Sequence, residues 1–275
     1  MVFEVFKGIA NRFYSDFLLP DRLSEWRLLL EYALEYGYEV HSVKSFWQIL
    51  RNKRIKAGSK YLVVRHDIDT DSCTAYKFWE IEKRLKLQTS YYFRLSTLDI
   101  NLMQEIEAMG GEASYHYEEL ATYAKRKGLI DRNAVLAHLN VIRQIFAQNL
   151  TNLRKQTGLP MRIVASHGDW INRKLGLPNW IILEDDMFRK EVDIDLEVYD
   201  LEFMRFITGR YSDATYPKFW RPQNPLEAIK AEEPVVYILV HPRHWRANVH
   251  VNLLDDLCRL WEGATFYMKT LGRGR

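Results

Sequence analysis

The chain has 275 residues, with 39 Lys and Arg against 36 Asp and Glu. That length buries a full hydrophobic core, usually as one large domain, with two small ones as the alternative. The near balance of charge leaves no footprint for a nucleic-acid partner, and two cysteines, Cys73 and Cys258, make neither a metal knuckle nor a disulfide framework.

Hydrophobic residues make up 47% of the chain and charged ones 27%, the profile of a globular protein. The opening Met1-Val-Phe-Glu-Val-Phe-Lys7 has an early acid and no basic lead, unlike an export signal. The longest apolar run, Val235-Val-Tyr-Ile-Leu-Val240, is strand length and far short of a bilayer span. A cytoplasmic protein without a transmembrane segment is the expectation. The Lys125-Arg126-Lys127 cluster reads as a solvated helix end, where cations complement the macrodipole. Aromatics are numerous, with 16 Tyr, 13 Phe and 8 Trp. They serve either as core or as flat faces for pyranose rings.

In chain order, apolar spacing predicts a helix over residues 23–36, stopped by Gly37. A short strand over 38–43 and a helix over 45–52 follow. Residues 1–58 thus read as a helix–strand–helix extension packed on the main body. Tyr61-Leu-Val-Val64 is a buried strand that gives way to the carboxylate-rich Arg65-His-Asp-Ile-Asp-Thr-Asp71. Asp71 is placed to cap a helix over 72–85. A strand over 89–93, a helix over 101–109 ending at Gly110-Gly111, and a short strand into Tyr115-His116 come next. Residues 131–153 form one long amphipathic helix, with Val135, Leu139, Ile142, Phe146, Leu150 and Leu153 on one side. Strands over 162–165, 180–183 and 235–240 and a helix over 253–270 complete the reading. Between the last two strands lies an aromatic-rich stretch, 203–220.

Strands alternate with helices, which argues for a parallel α/β sheet. About seven strands fit a barrel as well as an open sheet. Polar residues collect at the C-terminal ends of these strands: Asp67, Asp69, Arg94, His116, His167 and His241. That is the functional end of a parallel barrel.

Asp67 and Asp69 stand two apart, and such a pair shares a cation or divides into a metal ligand and a general base. His116, followed by Glu118 and Glu119, is a metal ligand or a structural hydrogen-bonder. His241 emerges abruptly from a buried strand and reads as a general acid or a strand cap. His167, in Ser166-His-Gly-Asp-Trp170, reads equally as part of a site or of a tight turn.

The order of these pieces resembles the polysaccharide deacetylase superfamily, the NodB-homology or carbohydrate esterase family 4 group. More narrowly, it resembles the deacetylase-like proteins of O-antigen and other surface-glycan assembly. Arg65-His-Asp-Ile-Asp69 is similar to the family's acidic pair, Thr89-Ser-Tyr-Tyr-Phe93 to its next strand, Gly111-Glu-Ala-Ser-Tyr-His116 to part of its second motif, and Leu239-Val-His241 to its last. The likeness covers roughly Tyr61 to Trp245. It implies a distorted (β/α) barrel of about seven parallel strands, with the whole chain as one domain.

The resemblance also implies metal-dependent removal of an N-acetyl or N-formyl group from an amino sugar. By that reading Asp69 and His116 hold a divalent ion, zinc by analogy. Leu120 occupies the position of the family's usual second His, so Glu119 or His167 is the third ligand. Asp67 is the base and His241 the acid. Arg94 or Arg65 pairs with the catalytic carboxylate, Arg65 being also a candidate substrate contact. Tyr115, Tyr117, Trp170 and Trp245 are expected on the rim of a glycan cleft. The alternatives are a catalytically silent glycan-binding relative and a barrel amidase acting on a non-sugar substrate.

Overall fold

The apolar run at 61–64 becomes a strand, and the strand outlasts its hydrophobicity. In the computed structural model, which describes residues 2–271 and side chains from residue 6, it spans nine residues. Nine strands occur among the described residues: β1 (Tyr38–His41), β2 (Lys60–Ile68), β3 (Ser90–Phe93), β4 (Glu112–Tyr117), β5 (Ile163–Ser166), β6 (Leu196–Glu197), β7 (Gly209–Asp213), β8 (Trp220–Arg221) and β9 (Val235–Val240). The chain divides into two compact units, one of Met1–Ala113 and Asp200–Leu253, the other of Ser114–Tyr199 and Leu254–Arg275.

In the first unit β2 is central. It pairs in parallel with β9 on one edge and with β1 and then β3 on the other. The residues before 59 therefore contribute a strand of their own, β1, to this sheet. Strand β7 extends the sheet in parallel beyond β9, and β8 returns antiparallel. From Tyr61 to Ile68 every residue of β2 is buried.

The carboxylate-rich segment was expected to leave the strand after Val64. Its first four residues, 65–68, stay in because their charges are matched inside. Arg65, fully buried, donates from Nε and Nη2 to the two oxygens of Asp67, at 2.6 and 2.7 Å. The two side chains share a face because strand residues two apart do. His66 points the other way, and its Nε2 lies 2.7 Å from Glu82 Oε1 on the helix Ser72–Arg84. Glu82 also accepts from Trp26 Nε1 (2.9 Å), Thr89 Oγ1 (2.5 Å) and Tyr91 OH (2.6 Å). Asp71 caps the helix as expected, accepting from the Thr74 N–H at 3.0 Å.

In the second unit β4, β5 and β6 are parallel neighbours. Strand β4 starts in the first unit, where the Glu112 N–H donates to the Thr89 carbonyl at 2.9 Å. The long helix expected over 131–153 is two helices, Arg132–Leu136 and Leu139–Thr157, separated at His138. Its apolar stripe is buried as the spacing requires, apart from half-buried Leu139. Residues 180–183 are not a strand. They form a tight 3-10 turn, Asn179–Leu183, whose first residue donates a side-chain bond to the His167 carbonyl at 2.6 Å. The two-residue β6 occupies the edge of β5 instead. No helix among the described residues is long and apolar enough to cross a membrane. Both cysteines are free and exposed.

The α/β class with parallel strands is thus as expected. Glu82 is the polar centre of the first unit's core, so Glu82→Leu, which leaves four donors unmatched, is expected to cost about 3–5 kcal/mol in urea unfolding. A loss under about 1 kcal/mol would contradict that role.

Candidate active site

Parallel strands bring their C-terminal ends to one side, and in the first unit the register decides which residues meet there. His66 lies opposite Val240, so Asp67 and His241 follow at adjacent strand ends. Ser212 lies opposite Leu239, which puts Asp213 beside the same pair.

Asp213 carries the arrangement at His241. Its Oδ1 lies 2.6 Å from His241 Nδ1, and its Oδ2 accepts the His241 backbone N–H at 2.7 Å. Trp245 donates its indole N–H to the same Oδ2 at 2.9 Å. His244 Nδ1 lies 3.2 Å from Oδ1. Burial opposes ionisation of this carboxylate, but the two imidazoles beside it outweigh burial and hold its pKa well below the usual range. For His241 burial favours the neutral ring. The Asp213 charge and hydrogen bond overcome that, Asp69 and Asp67 add to the attraction, and the pKa rises to about 9. At neutral pH His241 is an imidazolium whose Nδ1–H is spent on Asp213. Nε2–H is the proton it can give away.

Asp67 is almost fully buried in the grip of Arg65, which in turn reaches the Tyr237 hydroxyl at 3.2 Å. A bidentate guanidinium fixes the plane of a carboxylate. Asp69, half-buried, follows the end of β2, and Arg94 donates to its backbone carbonyl at 3.0 Å.

The second unit supplies an imidazole pair. His116 on β4 stands in register with Ala165 on β5, and its Nδ1 donates to the Ala165 carbonyl at 3.0 Å. That bond makes Nε2 the acceptor nitrogen. His167 leaves the end of β5, its backbone N–H donating to the Tyr117 carbonyl at 2.8 Å, and its Nδ1 lies 3.2 Å from His116 Nε2. Two nitrogens bound to one tetrahedral zinc at 2.0–2.1 Å stand about 3.3 Å apart. The pair therefore fits a shared divalent ion. Nearby Asp169 is committed otherwise, capping the helix Trp170–Leu175 and accepting from Lys125 Nζ at 2.5 Å.

Several expected roles change. Arg65 is a buried orienting partner of Asp67, so it does not contact substrate. It makes the fork that either arginine was expected to make, while Arg94 contacts the Asp69 backbone. Glu119 faces inward from the start of the helix Glu119–Lys127, where its Oε1 accepts from Tyr115 OH (2.5 Å) and Asn149 Nδ2 (2.8 Å). Burial first of all raises its pKa. It joins no cluster of metal-ligating groups among the described residues. Tyr115 and Tyr117 do not line a cleft, because both are buried on Phe146. Trp245 is likewise 1% exposed, packed edge-on against Trp26, Phe78 and Trp220. Trp170 remains half-buried with its ring against Phe266.

Sequence reasoning missed Asp213 and His244. Asp213 ends a strand hidden in the aromatic-rich stretch, where no apolar run marks it. His244 was visible as the second histidine of His241-Pro-Arg-His244.

No protein-family model and no curated protein matches the chain. Among solved structures it is similar to the Xyl-CE4 domain of a multidomain xylanase from the hindgut metagenome of Trinervitermes trinervoides. The identity there is 11% over 74% of this chain and 85% of that one, with a TM-score of 0.37. It is also similar to the Streptococcus pyogenes deacetylase PplD in complex with acetate, at 12% identity over 83% of this chain and 84% of that one, with a TM-score of 0.42.

The Asp213 contacts give a pH signature. A raised pKa means that the His241 proton is held at low pH and lost as pH rises through about 9. Asp213→Asn is expected to move that midpoint down by at least about one unit, read from the His241 ring signals by NMR. An unchanged midpoint would show that Asp213 does not set it.

Proposed function

We propose that the chain is a metal-dependent hydrolase that removes an N-acyl group, acetyl or formyl, from an amino sugar. The observation that carries this reading is the pair at the ends of β2 and β9. Asp67 is an acceptor-only carboxylate locked by Arg65, and His241 is an imidazolium locked by Asp213. One accepts a proton while its neighbour offers one, as amide hydrolysis requires.

In the proposed mechanism Asp67 takes a proton from the attacking water as its oxygen bonds to the acyl carbon. Arg65 keeps the accepting oxygen in place through that transfer. When the C–N bond breaks, His241 gives its Nε2 proton to the departing nitrogen, leaving a free amine and a carboxylic acid. Asp213 and Trp245 hold the imidazole in position throughout. A divalent ion, zinc by the sequence resemblance, with His116 and His167 as ligands and Asp69 as a third on the strength of its motif, would activate the water and polarise the acyl carbonyl when bound.

The amino sugar is proposed to be carried on a nucleotide, a lipid or a growing surface glycan such as O-antigen, handled in the cytoplasm. The carrier rests on the sequence resemblance alone, and the compartment on the sequence-based expectation.

Two measurements test the reading. With zinc and an N-acetyl or N-formyl amino sugar, Asp67→Asn and His241→Gln are each expected to lower kcat about a hundredfold or more, with unchanged circular dichroism. Equal turnover by Asp67→Asn would refute the base assignment. Independently of turnover, equilibrium dialysis is expected to show zinc uptake that is weakened by about tenfold or more in His116→Ala. Uptake indifferent to both His116→Ala and His167→Ala would remove the proposed ligands.

A further inference from the structure

The second unit contains a cavity of about 340 Å³ beside His167, lined also by Arg173, Leu177, Pro178, Trp180 and Tyr199. Its size falls within the roughly 300–1,000 Å³ of pockets that hold small ligands. Of its lining only His167 has a part in the proposed mechanism.

The polar groups at its base are already satisfied by the protein. Asn179 donates to the His167 carbonyl at 2.6 Å and accepts from the Ala121 N–H at 3.0 Å. Asn172 donates to the Leu177 carbonyl at 2.8 Å and accepts from the Asp169 N–H at 2.9 Å. Asp169 is held by Lys125. These residues build the floor and leave little for a ligand to bond.

What the walls offer is different. Trp180 and Tyr199 are 39% and 42% exposed, so each presents open aromatic surface. Half-buried Pro178 adds apolar surface beside them, over fully buried Leu177. Arg173 is exposed on the helix Trp170–Leu175, with no carboxylate partner among the described residues. A cavity of aromatic faces with one uncommitted guanidinium matches a ring with an apolar face and an oxyanion attached.

We propose that this cavity binds a sugar ring bearing an oxyanion, a phosphate or a uronate carboxylate, and so selects anionic carriers or neighbouring units of the substrate. The ring lies against Trp180 and Tyr199, and Arg173 forks onto the anion. The proposal rests on the deacylase reading for its biological meaning, because His167 belongs to both places. Its test does not depend on turnover.

The dissociation constants of four probes are measured by calorimetry and ligand-observed NMR: N-acetylglucosamine, its anomeric phosphate, glucuronic acid and uridine monophosphate. The proposal expects at least one anionic sugar to bind about tenfold or more tightly than the neutral one. The phosphate and uronate arms tell which anion is preferred. Arg173→Gln is expected to close the gap, Arg173→Lys to keep part of it, and Trp180→Ala to weaken every sugar. No gap, or a gap untouched by Arg173→Gln, would overturn it. If the gap is present but no acyl group is ever released, the pocket stands and the deacylase reading fails. If acyl release occurs without the gap, only the pocket assignment fails.

Discussion

Strand β2 buries three ionisable residues in succession, Arg65, His66 and Asp67, and this constrains the surrounding first unit. Burying an unmatched charge costs several kcal/mol, more than one element of a marginally stable domain can absorb. Each charge must therefore meet its partner without water. Arg65 and Asp67 meet on one face of the strand itself. His66 meets Glu82 on the other face, and Glu82 draws in Trp26, Thr89 and Tyr91 from two more segments. The strand can be polar at its centre because its neighbours are built around it.

The same constraint orders the end of the strand. An aspartate free to rotate would be a poor base. Asp67 is fixed from within its own strand, and His241 is fixed by a carboxylate from the next strand along, Asp213. Asp213 is in turn held by a backbone N–H and the indole of Trp245. Positioning here is done by buried groups that touch no solvent and would touch no substrate. In the proposed mechanism Trp245, Arg65 and Asp213 are positioning residues, and the reacting atoms are left to Asp67 and His241.

Much of this was readable from residue order. Val235–Val240 ends where its apolar run ends, and His241 follows it as a strand-end residue must. Asp71 and Gly110-Gly111 mark helix boundaries by chemistry that acts locally. What failed was nonlocal. The extension of β2 through Arg65 and Asp67 depends on a pairing across the strand's own face and on Glu82, sixteen residues away. The short strand β7 carries too few apolar residues to announce itself, so Asp213 stayed hidden with it. Tyr115 and Tyr117 flank His116 in sequence, but alternation along a strand turns both to the opposite face, onto Phe146. Neighbours in sequence made poor candidates for neighbours in the site, a rule that the strand period could have supplied. Glu119 was a candidate only because Leu120 stands at the usual second-His position, and its burial with Tyr115 and Asn149 follows from the packing of the helix Leu139–Thr157.

In the proposed reaction water activated beside Asp67 cleaves an N-acyl amino sugar. The most direct measurement runs the zinc-loaded protein with such a sugar in water enriched in heavy oxygen and weighs the released acid by mass spectrometry. Free acetate or formate carrying one solvent oxygen is expected, together with an equal amount of free amine. Zinc-loaded protein that releases neither acid from acetylated or formylated amino sugars, or that releases acid without the solvent label, would contradict it.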